Sequence, residues 1–219
     1  MKTALVILSG GLDSTVLVYH LLNQGHNVVA MSVNYGQRHM KEIQFAAITC
    51  QKLGIRHEIA DLSRITHLIG GSSQTSNDVA VPHGHYAAEN MKLTVVPNRN
   101  MIMLSVALGF AIKEKMDFIA YGAHGGDHAI YPDCRPEFAD HIDALGKLAD
   151  WHPVEFLRPF INMSKADIVK LGASLNVPWE DTWSCYEGGD THCGKCGTCV
   201  ERKEAFELAG VVDPTVYQA

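Results

Sequence analysis

The segment Ser9-Gly10-Gly11-Leu12-Asp13-Ser14 combines residue types that suit phosphate binding. It follows an apolar run over Ala4–Leu8, which predicts a buried strand, and it leads into a helical pattern over Ser14–Gln24. Adjacent glycines let the backbone approach a ligand closely, and the start of a helix offers free N–H groups to phosphate. The cofactor-binding segment is predicted to comprise Leu8, Ser9, Gly10, Gly11, Leu12, Asp13, Ser14, Thr15, Val16, Leu17 and Val18.

Asp13 is the unusual member of this loop, because a carboxylate beside phosphate requires a metal ion such as magnesium between them. The lysine of a Walker loop is missing, and the glycine spacing differs from the dinucleotide fingerprint. The simpler alternative is a glycine-rich turn in which Asp13 is the N-cap of the helix. We predict that Asp13 and Ser14 take part in catalysis and that Asp13 lies on an exposed loop.

The loop resembles the SGGxDS pyrophosphate loop of the PP-loop ATPase superfamily, which includes GMP synthetase and NAD synthetase. This resemblance implies that ATP is cleaved between its α- and β-phosphates, that the substrate is adenylated and that the loop holds pyrophosphate. Lys165, in Ser164-Lys165-Ala166-Asp167, is similar to a second lysine of the superfamily that contacts phosphate. Taken alone, Lys165 is equally well explained as a solvated residue in the first turn of a helix.

Four of the six cysteines have the spacing C-x7-C-x2-C-x2-C, and they are Cys185, Cys193, Cys196 and Cys199. Four thiolates form a closed tetrahedral shell, which predicts one structural zinc ion per chain. An iron–sulfur cluster is the alternative, although the fourth cysteine lies upstream and no Cys-Pro pair follows. Without an export signal, disulfides are not expected. Cys50 fits an apolar helix stripe, and Cys134 lies in a polar loop with no assigned role.

Three arginines lie near predicted helix starts on the expected ligand side of the fold, at Arg38, Arg99 and Arg135. In a chain of net charge -6 they indicate an anionic ligand such as ATP or a carboxylate. With Lys165, Arg38 and Arg99 are predicted to act in catalysis. The predicted substrate-binding residues are Tyr35, Gln37, Arg38, Arg99, Asp127, Asp133 and Arg135.

Two aspartates and two histidines complete the candidate site. Asp127 and Asp133 are candidates to bind magnesium or to read the edge of a base. His124 and His128 lie among glycines, and a neutral polar loop lining is favoured over metal ligation.

Alternating apolar and amphipathic segments predict a parallel sheet with helices on both faces. The superfamily resemblance implies that this sheet is Rossmann-like, similar to that of adenine nucleotide alpha hydrolases. Residues 1–178 are predicted to form the nucleotide-binding domain, and residues 179–219 a zinc-binding segment packed on it. A long loop is expected over Leu62–Pro97. Further strands are expected over Val28–Val33, Arg56–Asp61 and Phe118–Tyr121, and further helices over His39–Leu53, Asn100–Lys115, Pro136–Leu148, Ser164–Leu175 and Arg202–Ala209.

Taken together, SGGLDS, YGQRH, VPNRN, YPDCR, SKADI and the cysteine cluster resemble, in content and order, the QueC family of 7-cyano-7-deazaguanine synthases. The resemblance runs from about Ala4 to Arg202. It implies a homodimeric zinc protein that converts 7-carboxy-7-deazaguanine, ammonia and ATP to the nitrile in queuosine or archaeosine synthesis. The chain departs from the family pattern at Asn98, where glycine is expected, and over Gly122–Ile130. An enzyme that transfers the activated acyl group to another amine is therefore the alternative.

Charge and hydropathy limit the other function classes. A net charge of -6 without a basic stripe argues against nucleic-acid binding, and hence against a tRNA thiolation or lysidine enzyme. No apolar stretch has membrane-spanning length, so a cytoplasmic enzyme acting on small molecules is expected. A non-enzymatic zinc module is disfavoured because Asp13 and Lys165 are both present.

Overall fold

A parallel sheet forms the centre of the chain, and the computed structural model describes residues 1–86 and 88–218. Its strands are β1 (Thr3–Ile7), β2 (Asn27–Asn34), β3 (Arg56–Asp61), β4 (Phe118–Ala120) and β5 (Glu155–Leu157). The spatial order is β3-β2-β1-β4-β5, and all four pairings are parallel. The strand order reverses between β1 and β4, which is where α/β sheets bind ligands. The predicted sheet is confirmed.

The helices are α1 (Leu12–Asn23), α2 (Lys41–Leu53), α3 (Thr66–Ile69), α4 (Arg99–Lys113), α5 (Pro136–Leu148), α6 (Lys165–Ser174) and α7 (Gly197–Ala209). They cover both faces of the sheet, because successive strand residues point to opposite sides. On β1, Leu5 packs in the core beneath α4 and α5, whereas Ala4 and Val6 pack beneath α1, α6 and α7. Among the described residues, no helix combines the length and apolar character needed to cross a membrane.

Strand β5 and the start of helix α7 differ from the sequence-based prediction. Strand β5 was not predicted, because it is a three-residue edge strand with one fully buried side chain, too short for a recognisable pattern. Helix α7 begins at Gly197, five residues before the predicted start at Arg202, so the cysteine cluster runs into the helix.

The predicted loop over Leu62–Pro97 contains a short helix, α3, and 3-10 turns at Ser63–Ile65 and Glu89–Thr94. Ala87 falls within this predicted loop and lies outside the described residues. The segment is held to the body of the protein by backbone hydrogen bonds, including Arg38 N–H to the carbonyl of Gln74 at 2.7 Å.

The starts of α6 and α4 explain two local sequence features. Ser164 caps α6, because its hydroxyl accepts from the N–H of Asp167 while the Asp167 carboxylate accepts from Ser164. Asn98, at the position where the resemblance led us to expect glycine, precedes α4 with a φ of 56°. Asparagine tolerates this left-handed conformation better than most residues, so it suits the same backbone position.

The C-terminal segment packs on the nucleotide-binding part of the chain. Phe206 of α7 lies in the same core as α1 and α6, and its ring meets Trp179 edge-on with centroids 5.1 Å apart. The fully buried Arg202 pairs with Asp213 and donates to the hydroxyl of Thr182 at 2.7 Å. Arg202 thus links α7 to the segment before it, through Thr182, and to the segment after it, through Asp213.

Candidate active site and metal centre

A cavity of about 230 Å³ opens at the carboxyl ends of β1, β2 and β4. Leu8, Val33 and Tyr121, at the ends of these strands, contribute to its wall. The predicted site residues that line the cavity are Leu8, Ser9, Gly11, Leu12, Asp13, Ser14, Tyr35, Gln37, Arg99, Asp127 and Lys165. Residues far apart in sequence therefore meet at one edge of the sheet.

The phosphate loop turns tightly between β1 and α1. Gly10 has a φ of +85°, and a Cβ there would lie 2.0 Å from the carbonyl oxygen of Glu42 in α2. Ser9 and Ser14 are linked through their hydroxyls at 3.1 Å, and the Gly11 N–H donates to the Ser9 hydroxyl at 3.2 Å. The loop thus packs closely on α2 and presents hydroxyls and the start of α1 to the cavity.

Asp13 belongs to α1 itself, since the helix begins at Leu12 and its N-cap is Gly11. The alternative that Asp13 is the N-cap is therefore wrong. The prediction that Asp13 lies on an exposed loop is also wrong, because most of its side chain is buried. Burial by itself would raise the pKa of Asp13, but Lys165 and His124 lower it below its ordinary value. The Oδ1 atom is buried without a hydrogen-bond partner among the described residues, an acceptor that fits a magnesium ion.

Lys165 joins Asp13 to a buried glutamate. Its Nζ lies 2.6 Å from Asp13 Oδ2, 3.2 Å from Glu201 Oε2 and 3.1 Å from Nε2 of the buried His124. Burial would lower the pKa of Lys165, but the carboxylates of Asp13 and Glu201 raise it, so the ammonium group stays charged. The alternative of a solvated Lys165 is wrong, because only 15% of its side chain is exposed.

Aromatic rings and one cation form the other end of the cavity. The guanidinium of Arg99 lies 5.8 Å from the ring centroid of Tyr35 and 6.0 Å from that of Tyr131. Tyr86 donates from its hydroxyl to Asp127 Oδ1 at 3.0 Å. This end can therefore hold a planar ligand against rings and an anionic group against Arg99.

Several predicted site residues do not line the cavity. Arg38 donates to the carbonyl of Val79 at 3.4 Å, and Arg135 donates to the carbonyl of His128 at 3.0 Å. Asp133 accepts from the N–H of Asn100 at 3.1 Å, near the start of α4. Gly10 packs on α2, and the buried side chains of α1 that also lie outside the cavity wall are Thr15, Val16, Leu17 and Val18. A ligand-binding role for these residues stays a prediction.

The four predicted metal ligands converge, with one ligand atom from each of Cys185, Cys193, Cys196 and Cys199 within 4.8 Å of every other. All four are buried, and the sulfurs of Cys193 and Cys199 are 3.9 Å apart. Zinc–sulfur bonds of about 2.3 Å in a tetrahedron place sulfurs about 3.8 Å apart, so the donor set fits a metal ion. The N–H of Cys196 donates to the sulfur of Cys193 at 3.2 Å, which supports thiolate charge.

Two glutamates at the site were not identified from the sequence. Glu201 is buried against Lys165, and Glu42 lines the cavity from the first turn of α2. Glu201 lies two residues after the predicted ligand Cys199, and nothing in the sequence around it distinguishes it from an ordinary helix glutamate. Cys134 is buried and also lines the cavity. The prediction that it lies in a polar loop is therefore wrong about its surroundings.

Residues 3–210 match the family model described as queuosine biosynthesis protein QueC. The chain is similar to curated relatives named 7-cyano-7-deazaguanine synthase. One from Pseudoalteromonas translucida is 49% identical, covering 99% of both chains. One from Sinorhizobium fredii is 52% identical, covering 100% of this chain and 92% of the relative.

Two solved structures share the fold at 14% sequence identity. An NMN synthetase from Francisella tularensis matches with a TM-score of 0.53, covering 96% of this chain and 78% of that one. A predicted subunit of a tRNA methyltransferase from Methanocaldococcus jannaschii matches with a TM-score of 0.51, covering 79% and 75%. At this identity the likeness concerns the fold alone. The family match and the full-length relatives are decisive: the chain belongs to the QueC family of queuosine biosynthesis proteins.

Proposed function

We propose that this chain is an ATP-dependent carbon–nitrogen ligase that converts 7-carboxy-7-deazaguanine and ammonia to 7-cyano-7-deazaguanine. The observation that carries the proposal is a single cavity in which a phosphate loop faces an aromatic end containing Arg99. A nucleotide and a planar carboxylic acid can meet there. Full-length relatives about 50% identical carry the corresponding synthase name.

The chemistry requires two activations. A carboxylate is a poor electrophile, so ATP first adenylates one oxygen and releases pyrophosphate. Ammonia then displaces AMP, loses a proton and leaves a primary amide. A second ATP adenylates the amide oxygen, and loss of AMP and both N–H protons leaves the nitrile. Since one phosphate loop is present among the described residues, we propose that the same site performs both activations.

Each group at the site has a role in this scheme. The loop N–H groups and the hydroxyls of Ser9 and Ser14 hold the departing pyrophosphate. Lys165 supplies positive charge where it develops on the phosphates, and Asp13 orients Lys165 at 2.6 Å. A magnesium ion, which accompanies ATP, would be held by Asp13 and would neutralise phosphate charge. Arg99 receives the substrate carboxylate between Tyr35 and Tyr131.

Synthetic 7-amido-7-deazaguanine tests the shared site. With ATP and without ammonia, the purified chain should convert this amide to the nitrile and release pyrophosphate. Omitting ATP is the control. If the chain consumes the acid but leaves the amide unchanged, the two-activation scheme is wrong. The alternative, an enzyme that passes the acyl group to another amine, then becomes the better account.

We further propose that the four-cysteine centre holds one zinc ion and that the enzyme is a cytoplasmic homodimer. The zinc assignment is supported by the four thiol donors, their burial and their spacing. The homodimer and the location are supported by the family resemblance alone. The boundary at residue 178 between the nucleotide-binding part and the zinc-binding segment also remains a proposal.

A further inference from the structure

Among the acidic residues that line the cavity, Glu42 differs in having no partner. Asp13 pairs with Lys165, and Asp127 accepts a hydrogen bond from Tyr86. Within residues 1–86 and 88–218, the carboxylate of Glu42 makes no hydrogen bond or ion pair. Glu42 lines the cavity, and the hydrogen-bonding capacity of its carboxylate is unused within these residues. A carboxylate in this position can accept hydrogen bonds from donors on a ligand.

The backbone around Glu42 holds it rigidly beside the phosphate loop. A Cβ on Gly10 would lie 2.0 Å from the Glu42 carbonyl oxygen and 2.7 Å from the Ala46 nitrogen, so the loop touches the first turns of α2. The position of Glu42 relative to bound phosphates is therefore set by packing. Tyr35 and Tyr186 line the same cavity, and the charge of Glu42 acts on both phenols.

The two candidate ligands present different edges to a carboxylate. The aminopyrimidinone ring of a deazaguanine has adjacent N1–H and 2-amino donors, and both oxygens of a carboxylate can accept from them. Adenine offers one amino group next to the N1 lone pair, which a carboxylate repels. Enzymes that bind single bases commonly combine such hydrogen bonds with aromatic stacking.

We propose that Glu42 is the specificity-determining residue that reads the N1–H and 2-amino edge of the deazaguanine substrate. The inference rests on the proposed function. It assigns opposite tasks to two charged residues of the cavity, with Glu42 accepting from the base and Arg99 receiving the acid group.

The test compares Glu42→Gln with wild type on two substrates. In the variant, KM for 7-carboxy-7-deazaguanine should rise roughly 10- to 100-fold, because one donor then faces an amide N–H, while KM for ATP stays within about twofold. The analogue without the 2-amino group should lose a similar factor in kcat/KM with wild type. With the variant, removing the 2-amino group should cause little further loss in kcat/KM, because Glu42→Gln and the missing amino group remove the same contact.

A matched control is Glu137→Gln, an exposed glutamate in the first turn of α5. It should leave both KM values unchanged, which excludes a general effect of removing a first-turn acid. The inference is overturned if Glu42→Gln raises KM for ATP instead, or if it still discriminates against the analogue as wild type does. The first outcome assigns Glu42 to adenine or ribose. If wild type makes no nitrile from the acid, the proposed function itself fails.

Discussion

Lys165 Nζ and Asp13 Oδ2 are 2.6 Å apart although 152 residues separate them along the chain. The pair joins the first turn of α6 to the first turn of α1, on the cavity side of the sheet. Lys165 also contacts Glu201 on α7 at 3.2 Å. One ammonium group thus connects the phosphate loop with α7, the helix that carries Cys199 of the candidate metal centre.

Asp13→Asn should reduce pyrophosphate release about 100-fold or more while the chain remains folded. The amide has nearly the same shape but loses the charge that holds Lys165 and that a magnesium ion needs. Steady-state rates with ATP and the acid, together with circular dichroism, measure both effects. Activity close to that of wild type would remove Asp13 from the mechanism.

Glu201→Gln should lower kcat while the chain keeps its bound metal. Lys165 would lose one of two carboxylate partners, so its ammonium group would be held less firmly beside the loop. Glu207→Gln, an exposed glutamate on the same helix, is the matched control and should behave as wild type. If Glu201→Gln changes stability but not the kcat for either substrate, Glu201 is only a packing residue.

Cys196→Ser should lose the metal ion and expose the segment after Trp183 to protease, because metal binding energy at such sites is folding energy. Elemental analysis should find about one zinc per wild-type chain. Cys50→Ser, a buried cysteine outside the cluster, should keep the metal. Iron with visible absorbance in an anaerobic preparation would show that the centre is an iron–sulfur cluster.

Gly10→Ala should destabilise the chain more than Gly25→Ala. Both glycines have a left-handed φ, +85° and +80°, so either alanine adds strain of about 1–2 kcal/mol. A Cβ at Gly25 meets nothing within 4 Å, whereas at Gly10 it meets the backbone of α2. The clash should add about 1–3 kcal/mol, measurable by urea unfolding. Equal losses would mean that loop and helix are not packed as described.

Glu42→Gln should change how stability depends on pH. Burial raises the pKa of Glu42 from 4.5 to about 7, with Arg99 opposing part of the shift. Because the folded chain then binds more protons than the unfolded one, the free energy of unfolding falls as pH rises from about 4.5 to about 7. The variant cannot ionise at this position, so its free energy of unfolding should not fall in this way. Its stability relative to wild type should therefore increase from pH 4.5 and reach a plateau above pH 7. Parallel stability curves for the two proteins would contradict the shift.

The local chemistry of this protein could be predicted from sequence because it depends on residues close together in the chain. The glycines, serines and Asp13 of the phosphate loop lie within six residues. The spacing of the cysteines restricts their sulfurs to a small volume, and Ser164 and Asp167 form their own cap. Alternating apolar and amphipathic segments were enough to predict a parallel sheet, because the central strands β1, β2 and β4 are buried on both faces and therefore have nearly continuous apolar sequences.

Other features depend on packing between distant segments, which no local pattern encodes. Arg38, Arg99 and Arg135 occupy similar positions near helix starts. Among these three, only Arg99 lines the cavity, where the rings of Tyr35 and Tyr131 lie beside its guanidinium. The burial of Lys165 depends on how α6 and α7 pack on α1. Glu42 and Glu201 resemble ordinary helix glutamates in sequence, and the tertiary structure alone turns one toward the cavity and the other toward Lys165. The burial of a side chain and its electrostatic interactions depend on all the residues around it in space, and the complete fold determines which residues those are.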